Sequence, residues 1–154
     1  MPTLITYRRV VDAITTHSLQ LPQGSNGLQT GQELCTLPDG RTVVVLFDGN
    51  TLPTGQPAAI AASIVTLTMP LAPDLLESIK AASPHVRLIN TRVEEKIREK
   101  YSAADENKFA RIAYGVALSL YSYKTGEQAE LQAFGAYCEL CRAWGNAEKT
   151  KLGL

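Results

Sequence analysis

The residues most able to do chemistry are Cys138 and Cys141, two thiols three positions apart in the run Cys138-Glu139-Leu140-Cys141. A pair at this spacing can serve a redox cycle or supply half of a zinc site. A catalytic pair normally opens a helix, where the dipole and free N–H groups stabilise the thiolate. Here the flanking sequence is helical in pattern and places both thiols more than two turns inside it. Zinc would need two further ligands, and the sequence has no second pair. A thiol- or metal-dependent enzyme therefore stands as the minor alternative, and two small core residues on one helix face as the simpler reading. His17 and His85, the only histidines, have no nucleophile or ligand motif beside them. Gly24, Gly27 and Gly31 do not reproduce a dinucleotide or phosphate loop. Asp39 and Asp48 sit in turn sequences, where Asp has a local structural task. We assign no catalytic, cofactor-binding or metal residue.

The elements that would position such groups divide the chain near residue 70. In the first part, residues 1–70, TLITY and RRVV are rich in β-branched side chains, and ELCTL joins RTVVVLF through Pro38-Asp39-Gly40, a turn with a mechanism in all three residues. This predicts a hairpin from about Glu33 to Phe47. Its second strand is apolar on both faces, with Val43, Val45 and Phe47 on one side and Val44 and Leu46 on the other. Such a strand is central in a sheet or lies in an interface. Residues Ser63 to Met69 alternate as a half-buried strand would, with a helix beginning near Pro57 as the alternative. The stretch from His17 to Gln32, rich in Gln, Gly and Ser, is expected to be a mobile or partner-ordered loop.

From Pro73 the periodicity becomes helical. Ser83-Pro84 is a helix start, and Val86, Ile89, Val93 and Ile97 share one face of a helix running to about Tyr101. Ser102 with Asp105 marks a second start, and Thr125 with Gln128 a third at capping-box spacing, with Gly153 placed to end that last helix. Its apolar stripe is Leu131, Phe134, Cys138 and Cys141, widened by Tyr137 and Trp144. The expected class is α+β, a β-rich half followed at 71–154 by a bundle of three to four helices, with one compact unit made of both halves as the alternative.

Fifteen basic residues balance fifteen acidic ones, so the broad positive field used for nucleic acid or anionic membrane is missing. Residues 1–82 hold four basic and six acidic groups, and 83–154 hold eleven and nine. No apolar run approaches a membrane span, and the N-terminus lacks a signal-peptide layout. A cytoplasm-like compartment with reduced thiols is expected.

The remaining route to function is recognition of other proteins. Aromatics concentrate in the second half, and Tyr121 and Tyr123 fall in a predicted connection, where polar-edged rings suit interfaces. Val44 and Leu46 are the matching candidates in the first half, because so short a chain has little material to cover both faces of their strand. A partner, or a second copy of the chain, is expected to cover the remainder, with recognition in the β-rich half.

The segment SPHVRLINTRVEEKIREKYSAADENKFARIA, followed by FGAYCELCRAWGNAEKTKLGL, resembles the C-terminal region of small proteins of bacteriophage and prophage tail modules. The resemblance covers about the last seventy residues and rests on IREKYS, YCELCRAWG and the terminal KLGL. It implies a structural or adaptor protein near the baseplate or tail fibre, with tail or fibre proteins as partners. A tail-fibre assembly chaperone is the alternative. It implies residence in the host cytoplasm during assembly, and in the virion tail for a structural component. No residue role is transferred.

Overall fold

A computed structural model describes Met1–Leu154 and has the α+β class read from the sequence. Strands β1 (Thr3–Arg8), β2 (Val10–Val11), β3 (Thr16–His17), β4 (Gly31–Thr36), β5 (Arg41–Leu46) and β6 (Val65–Thr66) precede most of the helices. Helix α1 (Ala58–Ala61) is a single turn, and α2 (Pro73–Ala82), α3 (Pro84–Lys100), α4 (Ala103–Ala117) and α5 (Glu127–Lys151) follow. The chain separates into two compact units, Met1–Leu88 with Lys149–Leu154, and Ile89–Glu148. The division thus falls within α3 and α5 and not at residue 70: helical propensity is continuous there while the packing partners change.

In the first unit a four-stranded antiparallel sheet has the order β4-β5-β1-β6. The expected hairpin is β4 and β5, closed by Pro38-Asp39-Gly40 with Gly40 at φ +82°. Asp39 accepts from the Arg41 backbone N–H at 3.0 Å and from its guanidinium at 2.7 Å, which fixes the turn. A register shift between Glu33 and Cys35 lets the consecutive Leu34 and Cys35 both join one core.

Strand β5 is central, and each of its faces is covered from within the chain. Leu4, Leu34, Val43, Val45 and Ile79 form one buried cluster, with Leu75, Leu152 and Leu154 packed against it. Ile5, Tyr7, Leu19, Val44, Leu46 and Ile60 form the other. The expected interface at Val44 and Leu46 is therefore wrong: they are 0% and 5% exposed. Leu19 and the single-turn helix α1, which buries Ile60, are the covering material that local reading did not supply.

The segment from His17 to Gln32 also differs from expectation. It is folded back on itself, with a bridge between Gln23 and Gln29, Gly24 N–H bonded to Leu28 O, and Thr30 N–H bonded to Pro22 O. Leu19 is buried and Leu21 packs beside it, so two apolar residues within a polar stretch anchor it. Both alternatives for residues 57–69 hold in part: α1 covers Ala58–Ala61, and β6 is only two residues long.

Ser83 ends α2 and starts α3. Its extended backbone breaks the helix before Pro84, its N–H bonds Ile79 O, and its buried hydroxyl accepts from Val86 N–H at 3.4 Å. At the far end of α5, Gly153 (φ +78°) and Leu154 close a Schellman turn through Thr150 O and Lys149 O. That turn directs Leu152 and Leu154 into the first unit's core.

In the second unit, Ser102 and Asp105 form a full reciprocal capping box at the start of α4. An aromatic group holds this unit: Tyr101 is edge-on to Phe109, Phe134 and Tyr137, and Phe109 stacks on Phe134 at 5.0 Å. Tyr137 donates to Lys96 O at 3.1 Å, and the Lys96 ammonium lies over Trp144. Gly145 brings α5 close to Val93 and Ile89 of α3. No helix is long and apolar enough to cross a membrane.

Candidate functional site

Each sequence-predicted chemical group has a structural occupation. Cys138 and Cys141 are buried and unpaired in disulfide terms, and burial pushes the Cys138 thiol up from its ordinary range. A raised thiol pKa is the opposite of what a nucleophilic cysteine needs. His85 Nε2 lies 3.0 Å from Glu33 O, an atom that can only accept, so Nε2 carries hydrogen, and the Gln32 amide nitrogen lies 3.2 Å from both ring nitrogens. His85 thereby bonds one outward carbonyl of the edge strand β4. His17 pairs with Asp12 at 2.9 Å, and Asp12 also accepts from Ile14 and Thr15 N–H, closing the β2–β3 turn.

Two features carry unassigned chemistry. The first is the stretch from Tyr114 to Tyr123, which leaves α4 and leads toward α5. Tyr114 is 72% exposed, Leu118 66%, Leu120 81% and Tyr123 37%. Its backbone is ordered all the same: Leu118 N–H bonds Tyr114 O, Ser119 N–H bonds Val116 O, and Leu120 and Tyr121 N–H share Gly115 O. Gly115 is required there, because a Cβ at that position would lie 2.8 Å from Tyr121 Cβ.

Tyr121, expected as a partner contact, is half-buried, and its hydroxyl donates to the Glu127 carboxylate at 2.8 Å. Glu127 also accepts from Lys124 N–H at 2.8 Å. That backbone hydrogen bond and the Tyr121 hydroxyl hold its carboxyl below the usual range, and Glu127 in turn raises the Tyr121 hydroxyl. Glu127, and not the expected Thr125 and Gln128 pair, makes the bonds that lock the start of α5. Tyr123 remains on the surface as expected. Tyr114, Leu118 and Leu120 were missed in the sequence because helical spacing assigns Tyr114 and Leu118 to a helix and gives no sign of which face lacks a neighbour.

The second feature is a groove of about 870 Å³ in the first unit, lined by Arg9, Thr16, Ser18, Gln20, Gln23, Gln29, Gln32 and Glu33 with Leu19, Leu21 and Pro53. Beneath it the buried Tyr7 hydroxyl donates to one oxygen of Glu33, and Arg9 Nη2 pairs with the other at 2.5 Å. Burial first, then the Glu33 carboxylate, pushes the Tyr7 hydroxyl upward. Both carboxylate oxygens are thus occupied. No group of three or more His, Cys, Asp or Glu is arranged to hold a metal ion. The concentration of Gln between residues 20 and 32 was the only sequence sign of this groove.

No family model matches the chain. Neither a curated protein nor a solved structure matches it.

Proposed function

We propose that the chain is a structural or adaptor protein of a bacteriophage tail, placed near the baseplate or fibre attachment and acting by binding tail or fibre proteins. The observation that carries the binding role is the exposed apolar stretch Tyr114, Leu118, Leu120 and Tyr123. Large apolar side chains left in water on an ordered backbone suit burial against a partner, and Tyr is among the residues that dominate such contacts. The tail assignment rests on the resemblance of the C-terminal sequence. We therefore put recognition in the exposed stretch of the second unit; Val44 and Leu46 of β5 are internal.

Quantitative mass spectrometry of purified particles, set against lysate from the same induced host, tests the tail role. The chain is expected in particles at a fixed ratio to tail proteins. Abundance in lysate with depletion from particles would replace this reading with the assembly chaperone. Leu120→Asp with Tyr114→Ser tests the surface: incorporation should fail while the purified variant keeps its helical spectrum.

A further inference from the structure

The groove in the first unit is separate in residues and chemistry from the Tyr114 to Tyr123 stretch, and its reading does not depend on the tail assignment. Its volume, about 870 Å³, lies within the ~300–1,000 Å³ that small-ligand sites occupy. Its charges cancel. Arg9 and Glu33 are its only charged lining residues, they are joined at 2.5 Å, and the second Glu33 oxygen is taken by Tyr7. An anionic ligand would have to compete with Glu33 for Arg9, and a cationic one with Arg9 for Glu33.

The backbone around the groove is engaged in part. Gln20 N–H and O are both bonded by the Gln56 side chain, and Glu33 O accepts from His85, while Gln23 and Gln29 face each other between the bonds of Gly24 to Leu28 and of Thr30 to Pro22. A peptide strand added to this surface would need an unbroken run of free N–H and C=O groups, and the bonds at Gln20 and Glu33 interrupt one. The lining side chains offer recognition of another kind. The carboxamides of Gln20, Gln23 and Gln29 and the hydroxyls of Thr16 and Ser18 each both donate and accept. Leu19, Leu21 and Pro53 supply apolar surface among them.

We infer that this groove binds a neutral saccharide. Every sugar hydroxyl is itself a donor and an acceptor, the ring has C–H faces for the leucines and proline, and a neutral sugar leaves the Arg9–Glu33 pair intact. With no aromatic ring in the lining to stack on the sugar, binding is weak and exchanges fast.

The test is an amide-resolved NMR titration of the full chain with neutral oligosaccharides of glucose, galactose and N-acetylglucosamine, with sialylated and phosphorylated sugars and an uncharged capped peptide run in parallel. A neutral oligosaccharide should shift resonances from residues 16–33 and the Gln side-chain amides. Gln23→Ala with Gln29→Ala should weaken that binding about tenfold. These are exposed side chains outside both cores, so the spectrum elsewhere should stay unchanged. No response to any neutral sugar, shifts confined to other residues, preference for the charged sugars, a stronger response to the peptide, or unchanged affinity in the double variant would each overturn the assignment.

Discussion

Two glycines of one helix offer a direct measurement of how tightly the second unit is packed. A Cβ added at Gly145 would stand 2.5 Å from Val93 Cγ2 and 3.7 Å from Ile89 Cγ2, whereas at Gly135 it would meet nothing within 4 Å. Carbon atoms pack at about 3.5–4.0 Å, so the first contact is short by about 1 Å. Val93 lies within α3, where a β-branched side chain has one strongly preferred rotamer and little room to turn aside. Alanine gains about 1 kcal/mol over glycine in a helix interior, and overpacking of this kind costs about 1–3 kcal/mol. Gly145→Ala should therefore destabilise by about 1 kcal/mol, taking a mid-range cost, while Gly135→Ala should stabilise by about 1 kcal/mol.

The gap of about 2 kcal/mol between chemically identical changes is the packing contribution, freed of propensity. In a chain of this size it corresponds to melting temperatures about 4–8 °C apart. Urea unfolding followed by far-ultraviolet circular dichroism and by the fluorescence of Trp144, the single tryptophan, measures it. Coincidence of the two probes licenses the free energies. A Gly145→Ala protein as stable as the parent would refute the close approach of α3 and α5 at this point.

Other expectations follow from single features. Thr6 is buried and its hydroxyl has no hydrogen-bond partner, so Thr6→Val should stabilise by about 1 kcal/mol; a loss of stability in denaturant would show that the hydroxyl is bonded. Leu46→Ala should cost about 2–5 kcal/mol in the same assay, and a stable variant defective only in partner binding would restore the interface reading of β5. Cys138→Ala with Cys141→Ser should cost about 1–3 kcal/mol and leave binding intact once folded, whereas stoichiometric zinc in the parent protein would contradict a packing role. Hydrogen bonds hold the carboxyls of Asp12, Asp39, Asp105 and Glu127 below their ordinary values. Their stabilisation is present above the unfolded-state values and is lost as pH falls through the lower folded ones. Denaturant midpoints should drop across that acid range, less steeply in Glu127→Gln; an equal slope in that variant would remove Glu127 from the account.

Features whose causes lie within a few residues were legible in the sequence. Pro38-Asp39-Gly40 closes β4 to β5, Ser83-Pro84 separates α2 from α3, Ser102 and Asp105 cap α4, and Gly153 ends α5. Features set by distant chain were not. Capping-box spacing points to Thr125 and Gln128 at the start of α5, while the bonds belong to Glu127, which accepts from Lys124 N–H and from Tyr121 six residues earlier. The polar average of residues 17–32 hid Leu19, whose burial against β5 organises the segment. Of the candidate site, the aromatic connection containing Tyr123 was legible, but the exposure of Tyr114, Leu118 and Leu120 depends on an absent neighbour, which no local pattern encodes.

The same distinction explains where unsatisfied apolar surface ends up. A window around Val43–Phe47 shows more apolar side chains than nearby sequence can cover, yet the cover arrives from residue 19, from residue 60, from α2 and from the C-terminal turn. Val43 to Leu46 are buried and Phe47 packs partly buried against the same core, so this strand leaves little apolar surface in water. Between Tyr114 and Tyr123 the balance is reversed. Ser119 adopts φ +57°, a left-handed conformation that costs a non-glycine residue about 1–2 kcal/mol, with Leu118 and Leu120 held in solvent on either side. A flexible loop could relax that residue and fold its leucines inward. This one is fixed by bonds from Leu118, Ser119, Leu120 and Tyr121 back to α4. A partner would meet the leucines already displayed and would not have to order the backbone, which removes much of the entropic cost that weakens loop-mediated binding.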